Sequence, residues 1–428
     1  MKTNTQTNPR TYGLIFDENC AAFGIGAAIS LLKQNLSLGT VVACGTGVIN
    51  AMLLASRDIP AMRAAWETPE PFNAIFAKTA QLANRFVSDW GNMSSTIREA
   101  ATEAALNEPD ALRIKSDLHR IFDEKTIRAS DLNIVIMTCP ENESEARLMS
   151  VSDIPDGKLI DYILRAVTLP TFVPDQLGRY KRRYPEEIGL LYLSKAGTPD
   201  VITIGLSTTL PCPRYMRRIV IESSEYLEVT FENTKENIEK EITLGRLDAL
   251  KALGMLEGHD YYIDPTETHS VFDALVDALD KQPIPLSVNI SQDVEEDVMP
   301  SVLNLLKQTA YSLAPNRMLS LLEITAKQSG VDRLAIYSPD DFIAAILDAL
   351  GKTIRCCQPI LSPGNDLLKT FFYPTEANKN IPKFCLAYVL FEREKNNLSA
   401  NDKASILRVM TAEQRLALFM ILNIQHLF

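Results

Sequence analysis

The segment Thr40–Val41–Val42–Ala43–Cys44–Gly45–Thr46–Gly47–Val48–Ile49–Asn50–Ala51 constrains this chain more than any other. Thr40 to Ala43 is a β-branched, apolar run of the kind that forms a buried strand, and Val48 to Ala55 is apolar and rich in helix formers. Gly45 and Gly47 lie between them, so the chain must reverse from strand to helix within a residue or two. That is the geometry of a nucleophile elbow, in which a strained turn holds one side chain above a sheet. A hydrolytic elbow reads Gly-x-Ser-x-Gly, because small flanking residues let the turn close and the central Ser attacks. Here the five positions are Ala43, Cys44, Gly45, Thr46 and Gly47, and the central one has no side chain.

With 428 residues, of which 46% are hydrophobic, the chain can bury a large core and has room for two domains. A net charge of −11 argues against nucleic acid and against docking on anionic membranes. No apolar run approaches the ~20 residues that a membrane-spanning helix needs. Met1 to Arg10 is polar, lacks the apolar stretch of a secretory leader, and reads as a disordered tail. Cys20, Cys44, Cys139, Cys212, Cys356, Cys357 and Cys385 show no Cys-x-x-Cys spacing, and the histidines are scattered. The expectation is no metal site, no cofactor, no disulfide framework and a cytoplasmic location.

From Thr11 to Glu67 the chain resembles the opening of the patatin-like phospholipases. Gly47–Val48–Ile49–Asn50–Ala51 and the Arg57–Asp58–Ile59–Pro60…Trp66 that follows carry the resemblance, as does Thr168–Leu169–Pro170–Thr171–Phe172–Val173–Pro174 further on. The resemblance implies a patatin-like α/β/α sandwich, lipid acyl hydrolysis by a Ser-Asp dyad, and a fatty acyl or phospholipid ligand.

The positions that would perform that chemistry depart from the family pattern. Gly45 stands at the nucleophile position. The family's Gly-rich oxyanion loop maps, counting back from Gly26, onto Phe16, Asp17 and Glu18, with the basic position on Cys20, so Asp17, Glu18 and Asn19 form the oxyanion-loop segment. Two carboxylates beside a developing oxyanion oppose its charge, although acids at the start of a helix also serve as dipole partners. The dyad Asp falls on Lys181 or Arg182, with Arg182 preferred, so a cation stands where the base belongs. Cys44 is the one alternative nucleophile beside the elbow; a thiolate there needs a base or a cation, and no histidine is placed to serve.

Residues 60–122 read as a helical insertion, with apolar residues at helical spacing over Pro71–Phe86, Met93–Leu106 and Ala111–Ile121. Leu132–Cys139 reads as a buried strand with Ala146–Val151 as its partner, followed by a helix over Gly157–Val167 and strands at Asp200–Ile204, Arg217–Ser223 and Tyr226–Thr230. Thr234–Gly254 reads as the helix that closes the α/β domain, set at residues 11–263. Residues 264–428 then form an all-helical accessory module, where Ser338–Pro339–Asp340–Asp341 is a helix start. The apolar C-terminal run either packs into that module or makes a homo-oligomer or partner contact. The leading expectation is an inactive relative of lipid acyl hydrolases with a lipid-binding, regulatory or scaffold role. The alternative is an active phospholipase or esterase that uses Cys44 or whose native residue 45 is Ser.

Overall fold

The computed structural model describes residues 10–18, 20–86, 93–141, 143, 145–169, 172–174, 180–182, 185–205, 212–225, 227, 233–267, 269–281, 300–302, 304–305, 317–356, 366–374, 376, 379, 381–393 and 398–427. Two compact units divide the chain, Met1–Leu253 and Gly254–Phe428.

The first unit is mixed α/β. It begins with β1 (Thr11–Phe16), α1 (Ala21–Lys33), β2 (Ser37–Ala43) and α2 (Gly47–Ser56). Five helices follow, α3 (Ile59–Glu67), α4 (Glu70–Phe86), α5 (Ser95–Leu106), α6 (Pro109–Ile121) and the short α7 (Glu124–Arg128), of which α4, α5 and α6 are the three that the periodicity of the insertion predicts. Then come β3 (Asn133–Thr138), β4 (Arg147–Ser150), α8 (Leu159–Thr168), β5 (Phe172–Pro174), β6 (Tyr180–Arg182), α9 (Pro185–Lys195), β7 (Asp200–Gly205), β8 (Arg217–Glu222) and α10 (Lys235–Ala252). The Tyr226–Thr230 strand expectation falls almost wholly outside the described residues.

Six strands form the central sheet in the order β4-β3-β2-β1-β7-β8. All neighbours are parallel except β3 and β4, which are antiparallel, so β4 is an antiparallel edge on a parallel sheet. Ile15, Val42, Val135 and Val201 project to one face and cluster with Leu190 and Leu193 of α9. Leu14, Phe16, Val41, Ile202 and Ile204 alternate with them and are equally buried, so both faces are covered. Strand order reverses between β1 and β7. In open parallel sheets that reversal leaves a crevice outside the carboxyl ends of the strands, the usual place for a ligand.

The closest packing in the unit is between α1 and α10. A Cβ on Gly26 would lie 2.1 Å from the Ile242 carbonyl oxygen, and one on Gly245 2.0 Å from the Phe23 carbonyl oxygen. Only glycine allows the two backbones that approach.

Among its described residues, the second unit is helical apart from a two-stranded parallel pair, β9 (Tyr262–Ile263) and β10 (Ile336–Tyr337). The division at Leu253 therefore falls before Tyr262–Ile263, whereas the sequence places those residues in the α/β domain. Helices run over Ser270–Lys281, Arg317–Ser329, Pro339–Cys356, Leu367–Phe372, Lys383–Arg393, Ala400–Arg408 and Ala412–Leu427. The Ser338 hydroxyl accepts from the Asp341 amide, as the start signal predicts. The last helix is built into this unit: Leu416 to Ile421 are 0% exposed and cluster with Leu322, Phe342 and Phe384. Among the described residues no helix is long and apolar enough to cross a membrane.

Candidate active-site elbow

The elbow stands at the carboxyl end of β2, beside the β1/β7 reversal. Ala43, the last residue of β2, is paired with Phe16 of β1 and Ile136 of β3. Gly45 then takes φ = +51°, the left-handed region, and α2 starts two residues later. Thr46 is the helix N-cap without a side-chain cap bond. The turn is thus the one the glycine spacing predicts, and glycine at its apex avoids the cost of roughly 1–2 kcal/mol that a side chain incurs there.

The loop after β1 closes on this turn. The Asp17 amide donates to the Ile204 carbonyl oxygen (2.9 Å), which pins the loop across the β1/β7 crevice. Asp17 Oδ1 accepts from the Glu18 amide at 2.7 Å. The Glu18 carbonyl oxygen then accepts twice from Thr46, from its amide at 3.0 Å and its hydroxyl at 2.6 Å. A Cβ built on Gly45 would lie 2.7 Å from Glu18 Cβ and 3.1 Å from Glu18 Cα and the Glu18 carbonyl oxygen; one on Gly47 would lie 2.6 Å from the Asp17 carbonyl oxygen. The space above the apex, where a nucleophile and its substrate carbonyl would stand, is filled by Glu18.

Asn50 anchors the opposite side of the turn. Its Nδ2 donates to the Ala21 carbonyl oxygen (2.7 Å) and its Oδ1 accepts from Trp66 Nε1 (3.1 Å), so one buried amide joins α2 to the start of α1 and to α3. Trp66 in turn stacks on Phe72, with ring centroids 4.0 Å apart. The Asn50 and Trp66 that carry the resemblance are therefore bonded to each other.

The electrostatics follow from burial and the two acids. Burial pushes the Cys44 thiol well above its ordinary pKa, and the charges of Glu18 and then Asp17 push it further. Burial and Asp17 raise Cys20 likewise. A thiol in this setting stays protonated at neutral pH and offers no thiolate for attack.

Of the sequence-predicted site residues, the structure brings together Asp17, Glu18, Ala43, Cys44, Gly45, Thr46 and Gly47. Asn19 lies outside the described residues. Arg182 is the end of β6, paired with Phe172 in a two-stranded antiparallel ladder apart from the six-stranded sheet, and Lys181 pairs with Val173. Their side chains are not among those described. Among the described residues no group of three or more His, Cys, Asp or Glu is arranged to hold a metal.

Sequence reasoning missed Glu241 of α10. Its carboxylate accepts from the Ala22 amide at the start of α1, and burial pushes its pKa up to about 7. The surrounding Lys-Glu-Asn-Ile-Glu-Lys-Glu pattern reads as a solvated face, and only the close α1–α10 approach buries it. In comparisons with known proteins, no family model and no curated sequence matches this chain.

Proposed function

We propose that this chain is a catalytically inactive protein with the elbow of a lipid acyl hydrolase, acting through binding rather than turnover. The single observation that carries the reading is the double acceptance by the Glu18 carbonyl oxygen from Thr46. In a hydrolytic elbow the amide after the nucleophile is free to meet the oxyanion. Here that amide is already bonded to the protein's own backbone. Loss of one such donor costs a hydrolase roughly 10²–10³ in rate, and loss of the nucleophile about 10⁶. The residues around the elbow supply no replacement: Cys44 is buried as the thiol, and Asp17 and Glu18 add negative charge where negative charge would develop. The resemblance to patatin-like phospholipases makes a fatty acyl or phospholipid group the ligand class for the reading, with a regulatory or scaffold role.

The test is hydrolysis of short- and medium-chain p-nitrophenyl esters by the protein and by its Gly45→Ser and Cys44→Ala variants. No turnover is expected from any of the three. Turnover that Cys44→Ala abolishes would assign the chemistry to that thiol. Activity gained by Gly45→Ser would mean that the loop at Glu18 moves aside and the remaining site is intact. Either result overturns the reading.

A further inference from the structure

A second site lies at the other end of α2. Arg57, just past the end of α2, is bonded to Asp131, two residues before β3 begins, so α2 ends at the amino edge of the strands. There the ends of α2 and α6, the exposed side of α3, and α7 enclose a partly open cavity of about 500 Å³. Its floor is Met52, Leu53, Phe122 and Ile127, all buried. One wall is Ala61, Ala64 and Ala65 of α3, whose opposite face buries Met62 and Trp66 in the core.

We propose that this cavity binds the chain of an uncharged single-chain amphiphile, with its hydroxyl-bearing head at the rim. Size sets the chain. A cavity of about 500 Å³ is equivalent to a cube about 8 Å on edge, a size that suits a single extended chain. At ~30 Å³ for each water-sized group that volume corresponds to one chain of about sixteen carbons. Its volume falls within the ~300–1,000 Å³ typical of small-molecule sites, as does the plan of an apolar floor with few polar groups.

Charge sets the head. Arg120 and Asp123 are the ionisable residues of the lining, one of each sign, both exposed and both bonded to neighbours. Arg120 donates to Asp117, and Asp123 accepts from the Thr126 amide and hydroxyl. A carboxylate head meets Asp123 as well as Arg120, and an ammonium head meets the reverse, so neither sign gains. Ser56, Thr68 and Thr126 supply hydroxyl oxygens at the rim that can accept from an alcohol. The proposal rests neither on the elbow nor on the resemblance.

The test is titration calorimetry with 1-monoacylglycerols of increasing chain length, each below its micelle concentration, beside decanoate and decylamine. Affinity is expected to rise about fourfold per added methylene and to level off near the chain length that fills the cavity. Ala64→Leu, at an exposed position the fold tolerates, is expected to weaken decanoylglycerol binding ~10-fold and to move the plateau to shorter chains, by filling space the ligand uses. Ala65→Leu repeats the test from the adjacent turn position, and melting curves report that both variants are folded. The proposal is overturned by no binding at any length, by affinity that climbs without a plateau, by indifference to both substitutions, or by decanoate or decylamine binding as tightly as the neutral ligand.

Discussion

Gly45→Ala measures how firmly the elbow is closed. At φ = +51° the new methyl adopts a conformation that L side chains avoid, at a cost of roughly 1–2 kcal/mol. It also arrives 2.7 Å from Glu18 Cβ and 3.1 Å from two Glu18 backbone atoms, so a loop held by Thr46 and Ile204 must shift. Overpacking of that kind typically costs ~1–3 kcal/mol, for a total of about 2–5 kcal/mol. Gly197→Ala is the matched control. Gly197 has φ = +72°, and a Cβ there meets nothing within 4 Å, so it carries the conformational cost alone. The loss of glycine freedom in the unfolded chain is common to both and cancels. Urea unfolding followed by tryptophan fluorescence is the assay, because Trp66 and Trp90 both belong to the range Met1–Leu253. Trp66 is tied to the elbow through Asn50. The expected result is a Gly45→Ala variant less stable than Gly197→Ala by about 1–3 kcal/mol. Equal costs would refute the reasoning, since the Glu18 loop would then yield without resistance and the space above the apex would be available.

Glu241, with its pKa raised from the ordinary 4.5 to about 7 by burial, makes the folded state the better proton binder between those values. Stability should therefore fall as pH rises from about 4.5 through about 7, by about 3 kcal/mol at most. Gln keeps an acceptor for the Ala22 amide, so Glu241→Gln should raise the melting temperature at pH 8, leave it nearly unchanged at pH 5, and flatten the pH profile; a profile as steep as that of the parent counts against it. In the second unit, Glu323 is 1% exposed, and its Oε1 accepts from the amides of His259 (2.7 Å), Asp260 (3.0 Å) and Tyr261 (2.9 Å). At roughly 1–3 kcal/mol for each buried donor left without an acceptor, Glu323→Ala should destabilise this unit by at least ~3 kcal/mol in thermal unfolding, with Glu323→Gln recovering part of the loss.

What was legible in the sequence is what periodicity and turn chemistry encode. Thr40–Ala51 gave strand, turn and helix because β-branched residues, two glycines and helix formers each have one comfortable backbone state. The insertion resolved into helices for the same reason, and Ser338–Pro339 placed its helix start through capping. The helix Ala400–Arg408 went unread although Ser399 and Asp402 form a reciprocal capping box, a four-residue signal that marks its start. Its sparse apolar pattern hid it. What could not be read was contact between distant segments. That Glu18 bonds Thr46, 28 residues on, follows from β1 and β2 being adjacent and parallel, and no local pattern expresses that. The burial of Glu241 depends on Gly26 and Gly245 each letting the opposite helix backbone approach, and the second site depends on alanines left facing a gap.

These contacts share a physical logic. A helix begins with amide donors that have no intrahelical acceptor, and a site for a developing oxyanion or an anionic ligand must leave some of them free. At the start of α2 each is taken: Thr46 N by Glu18, Gly47 N by Cys44 and Val48 N by Gly45. At the start of α1, where Cys20 makes no side-chain cap, Glu241 reaches across from α10 to the Ala22 amide. At both helices that face the sheet's reversal, initial amides are thus taken from within the protein. Burying such donors unbonded would cost about 1–3 kcal/mol each, so the turn is more stable with the Glu18 loop seated on it. The same seating removes the donor, the space and the favourable potential that acyl transfer needs. On the reading proposed here, ligand binding falls to surfaces such as the cavity behind α2, where burial of a chain asks nothing of the elbow.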